Sequence, residues 1–394
     1  AFSLSRRGRK KRLWRVPKMV DRMSVSIYGM DGTEVATIAA EGHWTARELL
    51  AAIPRAGESV QQRLVHGASI LSTTTTLAEE GVEDGSVITL VRSKMLPLLV
   101  ACEDQIARVL DALSGECMTS FRGHTGSVLS AEFSPDGSFA LTGSTDKTAK
   151  IWDMESGRCT RTFRGHAGHV HSAVFSHDGT DVITASGDRL AGIWSVARGV
   201  RTKHLSGHRG KVLSARYSPD GLLAVTASED GTARVWAFAS EKCVRTLQHE
   251  DVVRSAVFSP DGTLVLTACM DGGARLWDAK RGTCKQALQH VNGDALAAVM
   301  SASFSPDGSL VVTAASGDGA VRIWSTDSGS CVRAFENSPT VWTAVFSSDG
   351  ASVLTASMGA VVKLWSVSSG ECMQTLAGEC EEIWAAALAP SAGR

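Results

Sequence analysis

The sequence predicts a mainly β protein built from a repeat of about 42 residues, each repeat a four-stranded antiparallel sheet, preceded by a small α+β unit. Three observations carry this reading. A strand of the form V-x-S-A-x-F-S-P-D-G recurs seven times, an Asp-Gly turn follows it, and the pattern is absent before residue 97. The copies start at Val128, Val170, Val212, Val253, Val299, Val341 and Ile383, at spacings of 42, 42, 41, 46, 42 and 42, so one copy carries a local insertion.

Within a repeat the first strand alternates large apolar with small or polar residues, the period-two signature of a strand with one face buried. The Asp-Gly pairs, as at Asp136-Gly137, Asp220-Gly221 and Asp261-Gly262, demand positive φ and so predict a tight hairpin into a second strand such as 139–143. A third strand carries tryptophans, as in 150–153, and a fourth carries a cysteine. Six of the nine cysteines, Cys117, Cys159, Cys243, Cys284, Cys331 and Cys372, take this place, with Val200 in the remaining copy, which reads as packing. Cys102, Cys269 and Cys380 show no CxxC spacing, so neither a zinc site nor any other cofactor is expected.

Gly-His pairs (Gly123-His124, Gly165-His166, Gly207-His208) and Trp-Asp pairs (Trp152-Asp153, Trp277-Asp278) make residues 97–394 resemble the WD40 family. The resemblance implies a seven-bladed β-propeller closed by strands from both ends: 98–121 reads as second, third and fourth strands lacking a first, and 383–390 as a first strand lacking the rest. It also implies a buried chain of His, Thr, Asp and Trp in five blades. The sets are His124, Thr142, Asp146 and Trp152; His166, Thr184, Asp188 and Trp194; His208, Thr226, Asp230 and Trp236; His249, Thr267, Asp271 and Trp277; and His290, Thr313, Asp318 and Trp324. A set repeated around a ring suits bracing, not a catalytic triad. Asn337 and Gly359 replace His and Asp in one blade; Glu379, Val100 and Leu110 replace His, Thr and Trp in the closing one, leaving Asp104. Those two blades are expected to be the softest.

Residues 24–93 follow another pattern: strands at 24–28 and 34–38 around Met30-Asp31-Gly32, a helix over 45–53, then strands at 63–65 and 87–91. The run from Gln61 to Val65, Leu71, Thr76-Leu77 and 86–92 resembles ubiquitin, which implies a β-grasp domain with a partner patch at Val65 and Val91. The module holds no Lys and runs on past Arg92 without a Gly-Gly end, so conjugation to targets is not expected.

Residues 1–23 are expected to be a disordered basic segment. Arg6, Arg7, Arg9, Lys10, Lys11, Arg12, Arg15 and Lys18 are eight cations with no acid in the first 20 residues, and removing them from a formal −1 leaves −9. A nucleic-acid partner is therefore expected only through that segment. No apolar run reaches the roughly 20 residues of a membrane helix, so no membrane partner is expected, and the absence of a secretory h-region predicts a cytoplasmic or nuclear location.

No phosphate loop, nucleophile elbow or metal cluster appears, so no enzyme is predicted. The WD40 resemblance implies protein partners on the face formed by the second residue of each first strand and the residue before each turn Asp. Here that face presents Leu213, Arg254 and His171, with Met300, Trp342, Met358 and Trp384 on one arc, a composition that fits a binding hot spot. The two histidines His169 and His171 lack a third metal ligand, and the inserted loop 291–298 is expected to protrude on the same face. The expected function is a non-catalytic scaffold within a multiprotein assembly. Two alternatives stand beside it. Asp271, Trp277, Asp278 and Lys280 resemble part of the box of cullin-linked ubiquitin-ligase substrate adaptors, and the order of modules is similar to Notchless-type ribosome-assembly factors.

Overall fold

The computed structural model describes residues 22–30, 33–53, 60–67, 69–72, 75–94, 96–292, 295–337, 340–377, 380 and 382–390. The predicted basic segment thus lies outside the described residues up to 21. The chain divides into two compact units, Ala1–Met95 and Leu96–Arg394.

In the first unit, β1 (Arg22–Gly29), β2 (Glu34–Glu41), α1 (Ala46–Ala51), β3 (Val60–His66), β4 (Ser69–Ile70) and β5 (Val87–Lys94) make a sheet of order β2-β1-β5-β3-β4. All pairings are antiparallel except β1 with β5. Alternation along β1 puts Met23, Val25 and Ile27 on one face, where they pack with Leu64, Ile88, Leu90 and the helix residues Ala46 and Leu49. The backbone N–H of Thr45 donates to the Glu48 carboxylate at 2.7 Å, satisfying a helix-start donor. Sequence patterning missed β4, because two residues are too few to show a period.

The described residues of the second unit hold seven four-stranded antiparallel sheets. Their first strands are Val128–Phe133, Val170–Phe175, Val212–Tyr217, Val253–Phe258, Ala298–Phe304, Val341–Phe346 and Ile383–Leu388. Each sheet is open, with two edges. In the last, Ile383–Leu388 pairs with Pro97–Cys102, followed outward by Ile106–Asp111 and Cys117–Arg122, so one sheet is assembled from chain positions nearly 300 residues apart. The insertion forms a two-residue hairpin, Val291–Asn292 with Ala295–Leu296.

The turn chemistry is explicit. Gly137 has φ 74°, the Ser134 hydroxyl donates to Asp136 at 2.5 Å, and the Ser138 N–H donates to the same carboxylate at 3.1 Å. The Asp side chain thereby fixes the turn, while Gly avoids the Cβ clash at positive φ.

Apolar side chains are buried in clusters that each join one sheet to the next. Leu141, Ile151 and Phe163 of the first sheet pack with Val170, Phe175 and Trp194 of the second. The same arrangement continues to the last cluster, where Leu99, Val109 and Phe121 of the closing sheet meet Val128, Phe133 and Trp152 of the first. Trp152 is 1 % exposed and stacks on Phe121 at 5.5 Å, so truncating it to Ala would cost about 3–5 kcal/mol.

The cysteine register corrects the sequence reading. A bulge between third and fourth strands sets Trp152 opposite Cys159 and Trp236 opposite Cys243, but Trp194 opposite Arg201. Arg201, not Val200, is therefore the equivalent residue, and the six repeated cysteines are exposed. They lie on outer strands and are not core packing; each stands seven residues after the third-strand Trp or Leu, a spacing that gives Arg201 in the remaining copy.

Candidate partner-binding face

Strand geometry brings the second residue of each first strand to one place. Leu129, His171, Leu213, Arg254, Met300, Trp342 and Trp384, with Thr145 and His169, line a single depression of about 320 Å³. Predicted residues His171, Leu213, Arg254, Met300, Trp342 and Trp384 are thus gathered. Met358 is not among the lining residues: it is 59 % exposed, on the turn whose backbone N–H bonds the Thr340 carbonyl. The side chains of 291–296 lie outside the described residues, so the predicted protrusion of the insertion has no counterpart in these lining residues.

The depression is lined by two unlike groups. The Trp342 and Trp384 rings meet at 5.1 Å with their planes at 46°, and Trp342 Nε1 donates to Glu382 Oε1 at 3.2 Å. Trp384 Nε1 and His171 Nε2 are buried without a hydrogen-bond partner. The same lining holds Arg254 and the pair His169 and His171, ring centres 6.2 Å apart. Burial pushes His171 down to about 4, with Arg254, His169 and Lys211 adding to the effect, so its ring is neutral at pH 7. Burial lowers Arg254 too, against Glu229. Lys211 at the rim pairs with Glu229 at 3.0 Å. Among the described residues no group of three or more His, Cys, Asp or Glu could hold a metal ion. The site can bind by stacking, by apolar contact and through a partly buried guanidinium.

Sequence reading missed Glu382, which stands just before its first strand in the place that Ser127, His169 and Lys211 take in other copies, and it missed a cross-strand ion pair. Glu132 and Arg216 take the same place in two first strands and pair with each other, beside a second cavity of about 540 Å³ that includes Ser303, Phe346 and Ala387. Opposite charges at one repeat position, where other copies carry Val, Ser or Ala, were a readable signal.

Three braces are complete. His124 Nδ1 lies 2.7 Å from Asp146, its Nε2 lies 2.7 Å from Thr142 Oγ1, and Trp152 Nε1 donates to Thr142 at 2.8 Å. His166, Thr184, Asp188 and Trp194 repeat this arrangement, as do His208, Thr226, Asp230 and Trp236. Burial opposes ionisation of Asp146, but hydrogen bonds from Thr148 and His124 outweigh it and hold the carboxyl at about 2.

The fourth brace departs from expectation. His249 and Trp277 both bond Thr267, at 2.8 and 2.9 Å, but His249 Nδ1 has no partner and Asp271 pairs with Arg275 at 2.7 Å. In the fifth, His290 and Trp324 bond Thr313, and Arg322 contacts both Asp318 and His290. The cause is local. In the first and third sheets Thr148 and Thr232 stand two residues after the Asp and donate to it at 2.6 Å; Gly273 and Ala320 cannot, and an Arg four residues on fills the gap.

Of the two sheets expected to lack the full network, one keeps part of it, and the other, with Val100 and Leu110 in place of Thr and Trp, shows no such chain among the described residues. Asn337 Nδ2 donates to Thr355 Oγ1 at 2.9 Å and Trp365 Nε1 donates to it at 3.0 Å, so only the acid is lost. In the closing sheet Asp104 pairs with Arg108 at 2.5 Å, while Glu379 lies outside the described residues. In the first unit Val65 is half-buried, and the Val91 side chain lies outside the described residues.

Four-stranded sheets, tryptophan-bearing third strands and the His-Thr-Trp-Asp braces define a WD40 propeller protein, a class whose members generally mediate protein–protein interactions and generally do no catalysis. The family model for the IFT122 first beta-propeller matches residues 169–392, more than half the chain, and that for the WD domain, G-beta repeat, matches 115–153. The chain belongs to the IFT122 first beta-propeller family. Comparison with individual curated proteins returned no match. No helix among the described residues is long and apolar enough to cross a membrane.

Proposed function

We propose that this protein is a non-catalytic interaction platform, a seven-bladed propeller that seats a partner protein in the depression beside Trp342, Trp384 and Arg254. The single observation carrying this reading is the convergence of seven first strands on one site whose lining holds a tryptophan pair and a partly buried guanidinium. Aromatic and Arg side chains in a desolvated pocket are the usual centres of binding energy. The segment that fits carries a carboxylate beside an apolar side chain, the first for Arg254 and the second for the tryptophan pair.

Ring closure is supported by a cycle of contacts: each first strand touches that of the next sheet, and Ile383–Leu388 touches Val128–Phe133. The order β2-β1-β5-β3-β4, with β1 and β5 parallel, supports reading the first unit as a ubiquitin-like domain. The proposed setting is a multiprotein assembly in the cytoplasm or nucleus.

Affinity capture with mass spectrometry, comparing wild type with Trp342→Ala/Trp384→Ala, tests the reading. The double variant, folded by circular dichroism, is expected to lose partners that the wild type retains. A folded variant that keeps every partner would reject this face.

A further inference from the structure

Two thiols from distant chain positions meet at the seam of the second unit. Cys102 ends the strand Pro97–Cys102, and Cys380 lies three residues before Ile383, which stands opposite Cys102 in the pairing. Their sulfurs are 2.9 Å apart, with the Cys380 thiol donating to Cys102 Sγ. Cys102 is fully buried and Cys380 half-buried. Arg108, paired with Asp104, lends positive charge to both sulfurs.

The other seven cysteines differ. The six repeated ones are exposed, each thiol bonding the carbonyl two residues on, and buried Cys269 bonds the Asp251 carbonyl.

We infer that Cys102 and Cys380 form a peroxide-reactive dithiol site, which closes into a disulfide joining the two ends of the repeat region. The Cys380 thiolate attacks hydrogen peroxide: an S–O bond forms, the O–O bond breaks, and hydroxide leaves as water after taking a proton. The Cys102 sulfur then attacks the Cys380 sulfenic acid. An S–S bond forms, the S–O bond breaks, and the departing oxygen takes the Cys102 proton as a second water. Two thiols lose two electrons, and peroxide gains them.

The roles follow from the surroundings. Hydrogen bonding with Cys102, whose thiol can turn to donate once Cys380 ionises, lowers the Cys380 thiol, burial opposing and Arg108 assisting, so Cys380 is the nucleophile. The same hydrogen bond, with burial, raises Cys102, which stays protonated until it resolves the intermediate. The bridge would enclose the six sheets between 128 and 377, and cross-links that close long loops restrict the unfolded chain most.

The test treats the full chain with hydrogen peroxide, blocks free thiols with N-ethylmaleimide, and maps peptides by mass spectrometry. A Cys102–Cys380 cross-link is expected before measurable oxidation of the six exposed cysteines. The unfolding midpoint of the second unit is expected to rise by about 5–10 °C, reversibly with dithiothreitol, and Cys380→Ser is expected to abolish the rise. In Cys102→Ser, Cys380 should stop at the sulfenic acid and be captured by dimedone. Oxidation of Cys102 and Cys380 no faster than the exposed thiols, or cross-links that bypass this pair, would overturn the inference. So would an oxidised wild type whose midpoint is unchanged.

Discussion

The Asn337 amide donates to Thr355 Oγ1 at 2.9 Å, taking the place that a histidine Nε2 holds against threonine in five other sheets. A shorter side chain thus keeps the inner half of the brace, including the Trp365 bond, after the acid has been replaced by Gly359. Asn337→Ala is expected to cost about 1–2 kcal/mol, the loss of a buried hydrogen bond with its acceptor left short of a donor. Urea denaturation of the two proteins side by side measures it, and an unchanged midpoint would mean the amide contributes nothing.

His249 and His290 make stability depend on pH. Burial first, and then the Arg275 and Arg322 cations, push both imidazoles down to about 4 from an ordinary 6.5. As pH falls the unfolded chain therefore takes up protons before the folded one. Stability is whole above 6.5, declines between 6.5 and 4, and loses about 2–3 kcal/mol per histidine by the lower end. Unfolding free energies measured at intervals from pH 7 to 4.5 should fall, and His249→Asn should flatten the slope.

Arg254 is expected to govern affinity through charge. Arg254→Met should weaken partner binding roughly 10- to 100-fold, the scale of a lost hydrogen bond to a charged group, and should reduce its sensitivity to salt. Calorimetric titration at two ionic strengths separates this from a packing effect, which would leave the salt dependence intact.

Glu132 and Arg216 link the first and third sheets, and burial raises the Glu132 carboxyl despite its cation. Arg216→Met removes the cation and is expected to cost about 1–2 kcal/mol, a value moderated by the partial exposure of both side chains. Arg216→Met/Glu132→Gln should recover most of it. A double variant no more stable than the single one would show that the charge left behind is not the cause.

The competition between Thr and Arg for the brace aspartate was readable from sequence. Wherever the residue two after the Asp lacks a hydroxyl and the fourth is Arg, as at Asp104/Arg108, Asp271/Arg275 and Asp318/Arg322, an ion pair forms on the Asp, and in the latter two it replaces or crowds the histidine link. Both residues lie on the short strand that begins two residues after the Asp, so the outcome is local.

By itself the sequence determined the repeat, the strands and their Asp-Gly turns, because these depend on period-two burial and on the φ preference of single residues. It also placed Trp342, Trp384 and Arg254 at equivalent strand positions. Tertiary structure alone decided which of those positions share a depression, with Met358 left on an exposed turn. It decided that Cys102 meets Cys380 across 278 residues. Periodicity carries information along a strand, but the meeting of distant strands depends on packing that sequence spacing does not encode.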